Sequence, residues 1–141
     1  MKKDLGKKVT YLNDLLIADQ HKWGQTIGIS SKDYNIFLTI AEHPGCTQLF
    51  LAKKRRVERS LLTRIINKYS KMGYIERQEN AHNKSAYSLY LTDQGQLITQ
   101  KIRQRITELN HSLFEAYTET QYKTLLDLLD IAIKRQIASP S

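Results

Sequence analysis

A mainly α-helical domain with one small β-hairpin, an α+β arrangement, is what the sequence predicts. Three observations lead there. Apolar residues recur at helical spacing over most of the chain, the period switches once to two between residues 74 and 91, and the basic residues crowd into the segment at that switch. With 141 residues, 40% hydrophobic and 26% charged, the composition is that of a single globular domain spanning 1–141.

Leu5, Val9, Leu12, Leu15, Leu16 and Ala18 keep close to a helical period and predict a first helix over about 5–22. A second is expected over Ser31–His43, capped by serine, with Tyr34, Phe37, Leu38 and Ala41 on one face and His43-Pro44-Gly45 as its stop. Thr47 is the next N-cap, opening a short helix over about Gln48–Lys54. Cys46 and Leu51 stand at the spacing of a hydrophobic staple across its start.

A turn through Arg55-Arg56-Val57 leads to a fourth helix over about Arg59–Met72, whose inner face is Leu62, Ile65, Ile66, Tyr69 and Met72. Gly73 ends it in the C-cap position. Tyr74–Arg77 and Ser85–Leu91 then read as strands, with Tyr87, Leu89 and Leu91 alternating and the polar stretch Gln78–Lys84 as the hairpin loop. Short helix, turn, basic amphipathic helix and hairpin, in that order over about 31–91, make a winged helix-turn-helix.

Thr92 caps a long helix with the stripe Ile98, Ile102, Ile106, Leu109, Leu113 and Tyr117. Thr118-Glu119-Thr120-Gln121 matches a capping box ahead of Tyr122, Leu125, Leu126, Leu129 and Ile133. These helices are too long for the middle block to cover, so the segments at about 5–22 and 92–137 are expected to form a dimerisation region in which two chains bury each other's stripes.

The net charge is +8, and its distribution says more than its sum. Residues 53–84 hold ten basic side chains against Glu58, Glu76 and Glu79, while the flanking segments are nearly neutral. A charge run is often only a solvated face; here it falls on a helix-turn-helix and wing, which points to a polyanion.

Other classes are excluded. A single cysteine, Cys46, makes neither an intramolecular disulfide nor a thiolate zinc site, and it reads as a small apolar packing residue rather than a redox sensor. The basic start Met1-Lys2-Lys3 precedes an apolar stretch broken by Asn13 and Asp14, and no run of about 18 apolar residues occurs, so neither a secretion signal nor a membrane span is expected and the cytoplasm is. His21, His43, His82 and His111 are scattered without metal-ligand or general-base spacing, and there is no Gly-rich phosphate loop. Neither catalysis, metal nor cofactor is expected.

The order of elements, together with His43-Pro44-Gly45-Cys46-Thr47-Gln48, Leu51-Ala52, Thr63-Arg64, Lys71-Met72-Gly73-Tyr74-Ile75-Glu76-Arg77 and Leu91-Thr92-Asp93-Gln94-Gly95, resembles the MarR family of transcriptional regulators. The resemblance implies a homodimeric regulator of double-stranded DNA, often a repressor released by a small ligand or by oxidation. Two positions depart from the family pattern. Asn83-Lys84-Ser85 replaces the usual Asp-Arg-Arg of the wing, and Arg55-Arg56 stands where an apolar residue and a glycine are common. Oxidation-sensing relatives keep their cysteine in the first helix, where this chain has none.

In such a reader the recognition helix enters the major groove with its N-terminal residues at base edges. Arg59 and Arg64 suit guanine, Ser60 and Thr63 donate to bases or phosphates, and Leu61 suits a thymine methyl. Lys53, Lys54, Lys68 and Lys71 suit phosphates, and Arg77 and Lys84 (with His82) are what remains for the minor groove. Tyr11, Trp23 and Tyr34 are candidates for lining a pocket for a small aromatic effector, as in family members that bind aromatic acids; their alternative is plain core. The rival functional class is a winged-helix module whose basic helix binds an acidic protein partner.

Overall fold

The computed structural model describes residues 4–80, 82 and 86–139. Helix α1 (Asp4–Ile27) leads into a 3₁₀ turn (Ser31–Asp33), α2 (Tyr34–Glu42), strand β1 (Cys46–Thr47), α3 (Gln48–Arg55) and α4 (Arg59–Lys71). Strands β2 (Ile75–Glu79) and β3 (Tyr87–Leu91) follow, then α5 (Asp93–Phe114) and α6 (Glu119–Ala138). The chain forms two compact units, residues 1–102 and residues 103–141.

The first unit holds the core. Leu62, Ile66 and Tyr69 of α4 are fully buried, as are Phe37 of α2, Leu51 of α3, Leu89 of β3 and Ile102 of α5. Each such side chain contributes roughly 1.5–3 kcal/mol of transfer free energy, so α4 is held to the body by its apolar stripe while its other face stays in water. The inner face is narrower than expected. Met72 is exposed because α4 ends at Lys71 and Met72 is already its C-cap.

The sheet has three strands rather than the two expected, in the order β1-β3-β2, all antiparallel. Two residues of β1 pair with β3, Cys46 opposite Leu89 and Thr47 opposite Ser88, and Gly45 N–H donates to the Leu89 carbonyl at 2.8 Å. A strand of two residues has no detectable period, so pattern reading misses it. In β3 only Leu89 is buried; Tyr87, expected inside, is half exposed because it sits at the loop end of the hairpin, opposite Glu79 and away from the core.

Local signals explain the helix ends. Thr47 caps α3, its hydroxyl accepting from Phe50 N–H at 3.1 Å. Gly73, at φ +84°, takes the left-handed position after α4, and Tyr74 N–H closes the turn onto the Tyr69 carbonyl at 2.9 Å. The expected serine cap on α2 is absent. Asp33 stands at its N-cap and makes no cap bond, because its carboxylate accepts from Tyr69 Oη at 2.5 Å instead.

The joint before α5 is tight. Thr92 Oγ1 donates to the Gly73 carbonyl at 2.5 Å and accepts from Gly95 N–H at 3.0 Å, and Thr92 N–H donates to the Tyr74 carbonyl. A Cβ on Gly95 would lie 2.0 Å from the Tyr74 oxygen, so only glycine lets α5 start there. Of the stripe expected on α5, Ile98 and Ile102 are buried, Ile106 and Leu109 are half-buried, and Leu113 is exposed; Tyr117 falls beyond the helix.

In the second unit the capping box is complete: Thr118 Oγ1 accepts from Gln121 N–H, and Gln121 Oε1 accepts from Thr118 N–H. Leu126, Leu129 and Ile133 of α6 are exposed, as are Leu5, Val9, Leu12 and Leu15 of α1 in the first unit.

Candidate nucleic-acid interface

Alternation of buried and exposed positions along α4 decides what the surface presents. With Leu62, Ile66 and Tyr69 turned inward, Arg59, Ser60, Leu61, Thr63, Arg64, Asn67, Lys68 and Lys71 are all exposed. Arg64, Lys68 and Lys71 follow one another at i, i+4 and i+7, one edge of the helix. From Arg59 to Lys71 the helix advances about 18 Å, long enough to lie along a major groove about 12 Å wide. Lys53 and Lys54 are exposed at the end of α3, and among the described residues neither they nor Arg59, Arg64 and Lys71 is paired with a carboxylate.

The turn between the two helices adds a further cation by an unusual route. Arg56 occupies the left-handed region, φ 53° and ψ 46°, as the C-cap of α3. That conformation disfavours a residue with a Cβ by about 1–2 kcal/mol. The arginine thus stands at a backbone position suited to glycine, and it is exposed.

Hydrogen bonds tie the reading face to its neighbours. Thr63 Oγ1 donates to the Arg59 carbonyl at 3.0 Å and accepts from Gln48 Nε2 at 3.2 Å, which joins the first turn of α3 to α4. Arg77, on β2, donates from its guanidinium to Asn67 Oδ1, which joins the wing strand to the middle of α4. Ser60 Oγ donates to Glu58 Oε1 at 2.9 Å. Asn67 belongs to the outer face that the helical period of α4 predicts, whereas Gln48 and Glu58 join this face only through their partners in the structure. The sequence signal for Glu58 is its place just ahead of α4 as an acidic residue among basic ones.

Leu61 is 42% exposed, an apolar side chain among donors. Lys84, with Asn83 and Ser85, lies outside the described residues. His82 N–H donates to Asn80 Oδ1 at 2.9 Å, an Asx-type turn at the start of the hairpin loop.

The three candidate effector-pocket residues are not all together. Trp23 packs edge-on against Tyr34, ring centroids 5.9 Å apart, and Tyr34 is buried with its hydroxyl donating to the Gln20 carbonyl at 3.0 Å. Tyr11 is 67% exposed and three turns earlier on α1, about 18 Å away along the helix. Near Trp23, a shallow cavity of about 190 Å³ is lined by His21, Gly24, Gln25, Gly28, Ile29 and Ser30. Cys46 is half-buried, and burial pushes its thiol up from the ordinary value, favouring the protonated form that is a poor nucleophile. Among the described residues no three His, Cys, Asp or Glu side chains gather as metal ligands, and no helix is long and apolar enough to cross a membrane.

Comparison with known proteins agrees with this geometry. The MarR family model matches residues 29–85. The chain is 24% identical over 116 residues to a putative transcriptional regulatory protein for the hcr operon of Thauera aromatica, covering 82% of this chain and 70% of that protein. It is 29% identical over 105 residues to the HTH-type transcriptional regulator BilQ of Clostridium symbiosum, covering 74% and 73%. Its fold is similar to that of a MarR transcriptional regulator from Methanosarcina mazei Go1, with TM-score 0.88, 21% identity and coverage of 96% and 97%. It is also similar to Streptococcus pneumoniae FabT in a complex with DNA, with TM-score 0.84, 17% identity and coverage of 96% and 97%. The MarR family model thus falls on the winged helix-turn-helix that carries the basic helix, and the fold as a whole is similar to that of solved MarR transcriptional regulators.

Proposed function

We propose that the protein is a MarR-type transcriptional regulator that acts as a homodimer, setting two α4 helices into successive major grooves of a pseudo-palindromic operator, and that it represses from there. The observation that carries this reading is the division of α4 into a fully buried apolar stripe and an exposed face of Arg59, Ser60, Thr63, Arg64, Lys68 and Lys71. Half-sites about 34–36 Å apart, or a multiple, follow from the repeat of B-DNA. The second copy is supported by the apolar residues left exposed along α1 and, separately, along α6. A small aromatic effector near Trp23 and Tyr34 is the mode of release that fits this reading, since their rings border α1 and α2.

In this mode Arg64 reads a base edge, while Lys53, Lys54, Lys68 and Lys71 meet phosphates. Four phosphate contacts from each protomer give a slope of log K against log salt near about −7. The test is duplex binding by the full chain across a salt series, with sedimentation to fix its oligomeric state. Arg64→Ala is expected to weaken the selected operator by about tenfold or more while random DNA loses far less. Equal losses on both would remove Arg64 from base readout. Failure to bind any duplex at low salt would instead favour an acidic protein as the partner of this face.

A further inference from the structure

Glu58 is the one acidic side chain between Lys53 and Lys71, and it stands at the tip of the reading helix. As N-cap of α4 it is extended, at φ −60° and ψ 140°, and it makes no side-chain bond to the helix's own N–H groups. It is exposed, and its Oε1 accepts from Ser60 Oγ at 2.9 Å. That bond uses the one proton the serine hydroxyl has. What Glu58 and Ser60 jointly present outward is therefore acceptors only: the second carboxylate oxygen and the free lone pairs of the serine.

An acceptor pair facing phosphates is repelled, so its favourable neighbour in a DNA complex is a donor on a base edge. In the major groove guanine offers O6 and N7 and thymine offers O4, all acceptors that meet a carboxylate badly. Adenine offers its N6 amino group beside the N7 acceptor. Cytosine alone offers an amino group, N4, with no acceptor next to it. The following residue, Arg59, carries the opposite chemistry and suits the guanine edge.

We propose that Glu58 is a specificity-determining residue: its carboxylate, steadied by Ser60, accepts from the N4 amino group of a cytosine in each half-site and rejects guanine and thymine at that position. The selection works as much by repulsion as by attraction. It rests on the operator-binding mode proposed above.

The test is selection of bound duplexes from a random pool by the full-length wild type, Glu58→Gln and Glu58→Ala, followed by affinities for the wild-type operator with each base placed at each position. Wild type should require cytosine at one position per half-site, with about tenfold or greater loss for another base. Glu58→Gln should move that preference to adenine, whose N6 and N7 a carboxamide matches, and Glu58→Ala should relax it while leaving affinity for random DNA equal or higher. Ser60→Ala should weaken the discrimination without changing the favoured base. If all three proteins select the same base at every position, Glu58 is no reader and the proposal falls. If wild type selects no motif at all, the operator-binding mode itself falls, and the two failures are told apart by the wild-type result alone.

Discussion

Replacing Tyr69 by phenylalanine removes one oxygen from the centre of the first unit and leaves the ring in place. The hydroxyl is fully buried; it donates to Asp33 Oδ2 at 2.5 Å and accepts from Ser30 N–H at 3.2 Å. Asp33 itself is only 8% exposed. A bond to a charged acceptor contributes about 1.5–3 kcal/mol, and a buried N–H left without a partner costs about 1–3 kcal/mol. The two losses overlap, so Tyr69→Phe should lower stability by about 3 kcal/mol, a large share of the 5–15 kcal/mol typical of a domain. Urea unfolding measures it, as a lower midpoint with an unchanged slope.

The same substitution carries a pH signature. Burial first, and then the Asp33 carboxylate, push the Tyr69 phenol above its ordinary value of 10.0. Above about pH 10 the unfolded chain releases this proton while the folded chain keeps it, so the unfolded state binds fewer protons and stability falls as pH rises. The contribution is complete below pH 10 and is lost above it. Phenylalanine has no such proton, so the gap between wild type and variant should narrow above pH 10. A gap below about 0.5 kcal/mol at neutral pH, or one that widens in alkali, would refute the assignment of this hydroxyl as a buried anchor.

Two further outcomes follow from backbone geometry. Arg56→Gly relieves a left-handed residue by about 1 kcal/mol but frees the unfolded chain by a comparable amount, so stability should stay level or rise by less than about 1 kcal/mol. Lys68→Ala, by contrast, should shrink the DNA salt slope by about one unit per protomer, the mark of a lost phosphate contact. Gly95→Ala forces a methyl against the Tyr74 carbonyl and should cost at least about 2 kcal/mol, with hydrogen exchange speeding at Thr92 N–H, which donates to that same carbonyl.

Much of this fold was legible because its signals are local. The Thr47 cap, the Gly73 stop, the Thr118–Gln121 capping box and the buried stripe of α4 each depend on residues within a few positions of one another. What escaped depends on distant partners. Asp33 reads as an ordinary helix-start residue until Tyr69, thirty-six positions later, claims its carboxylate. Gln48 reads as a polar position in a short helix until Thr63 comes beside it. In the reading face, residue type and helical period were enough to name Arg59, Thr63 and Arg64 as exposed, but not to show that Ser60 has given its proton to Glu58.

The two-residue strand β1 bears on how the protein is made. Its partner on β3 lies about forty residues further along, and through Gly45, Cys46 and Thr47 that pairing holds the very start of α3. A chain still emerging from the ribosome has every residue of both reader helices before it has Leu89. The β1 pairing therefore waits on closure of a loop of about forty residues, and closure of long loops is entropically opposed. A nascent fragment ending ahead of Leu89 therefore carries nearly all of the basic residues of the middle segment without the strand pairing that fixes the start of α3.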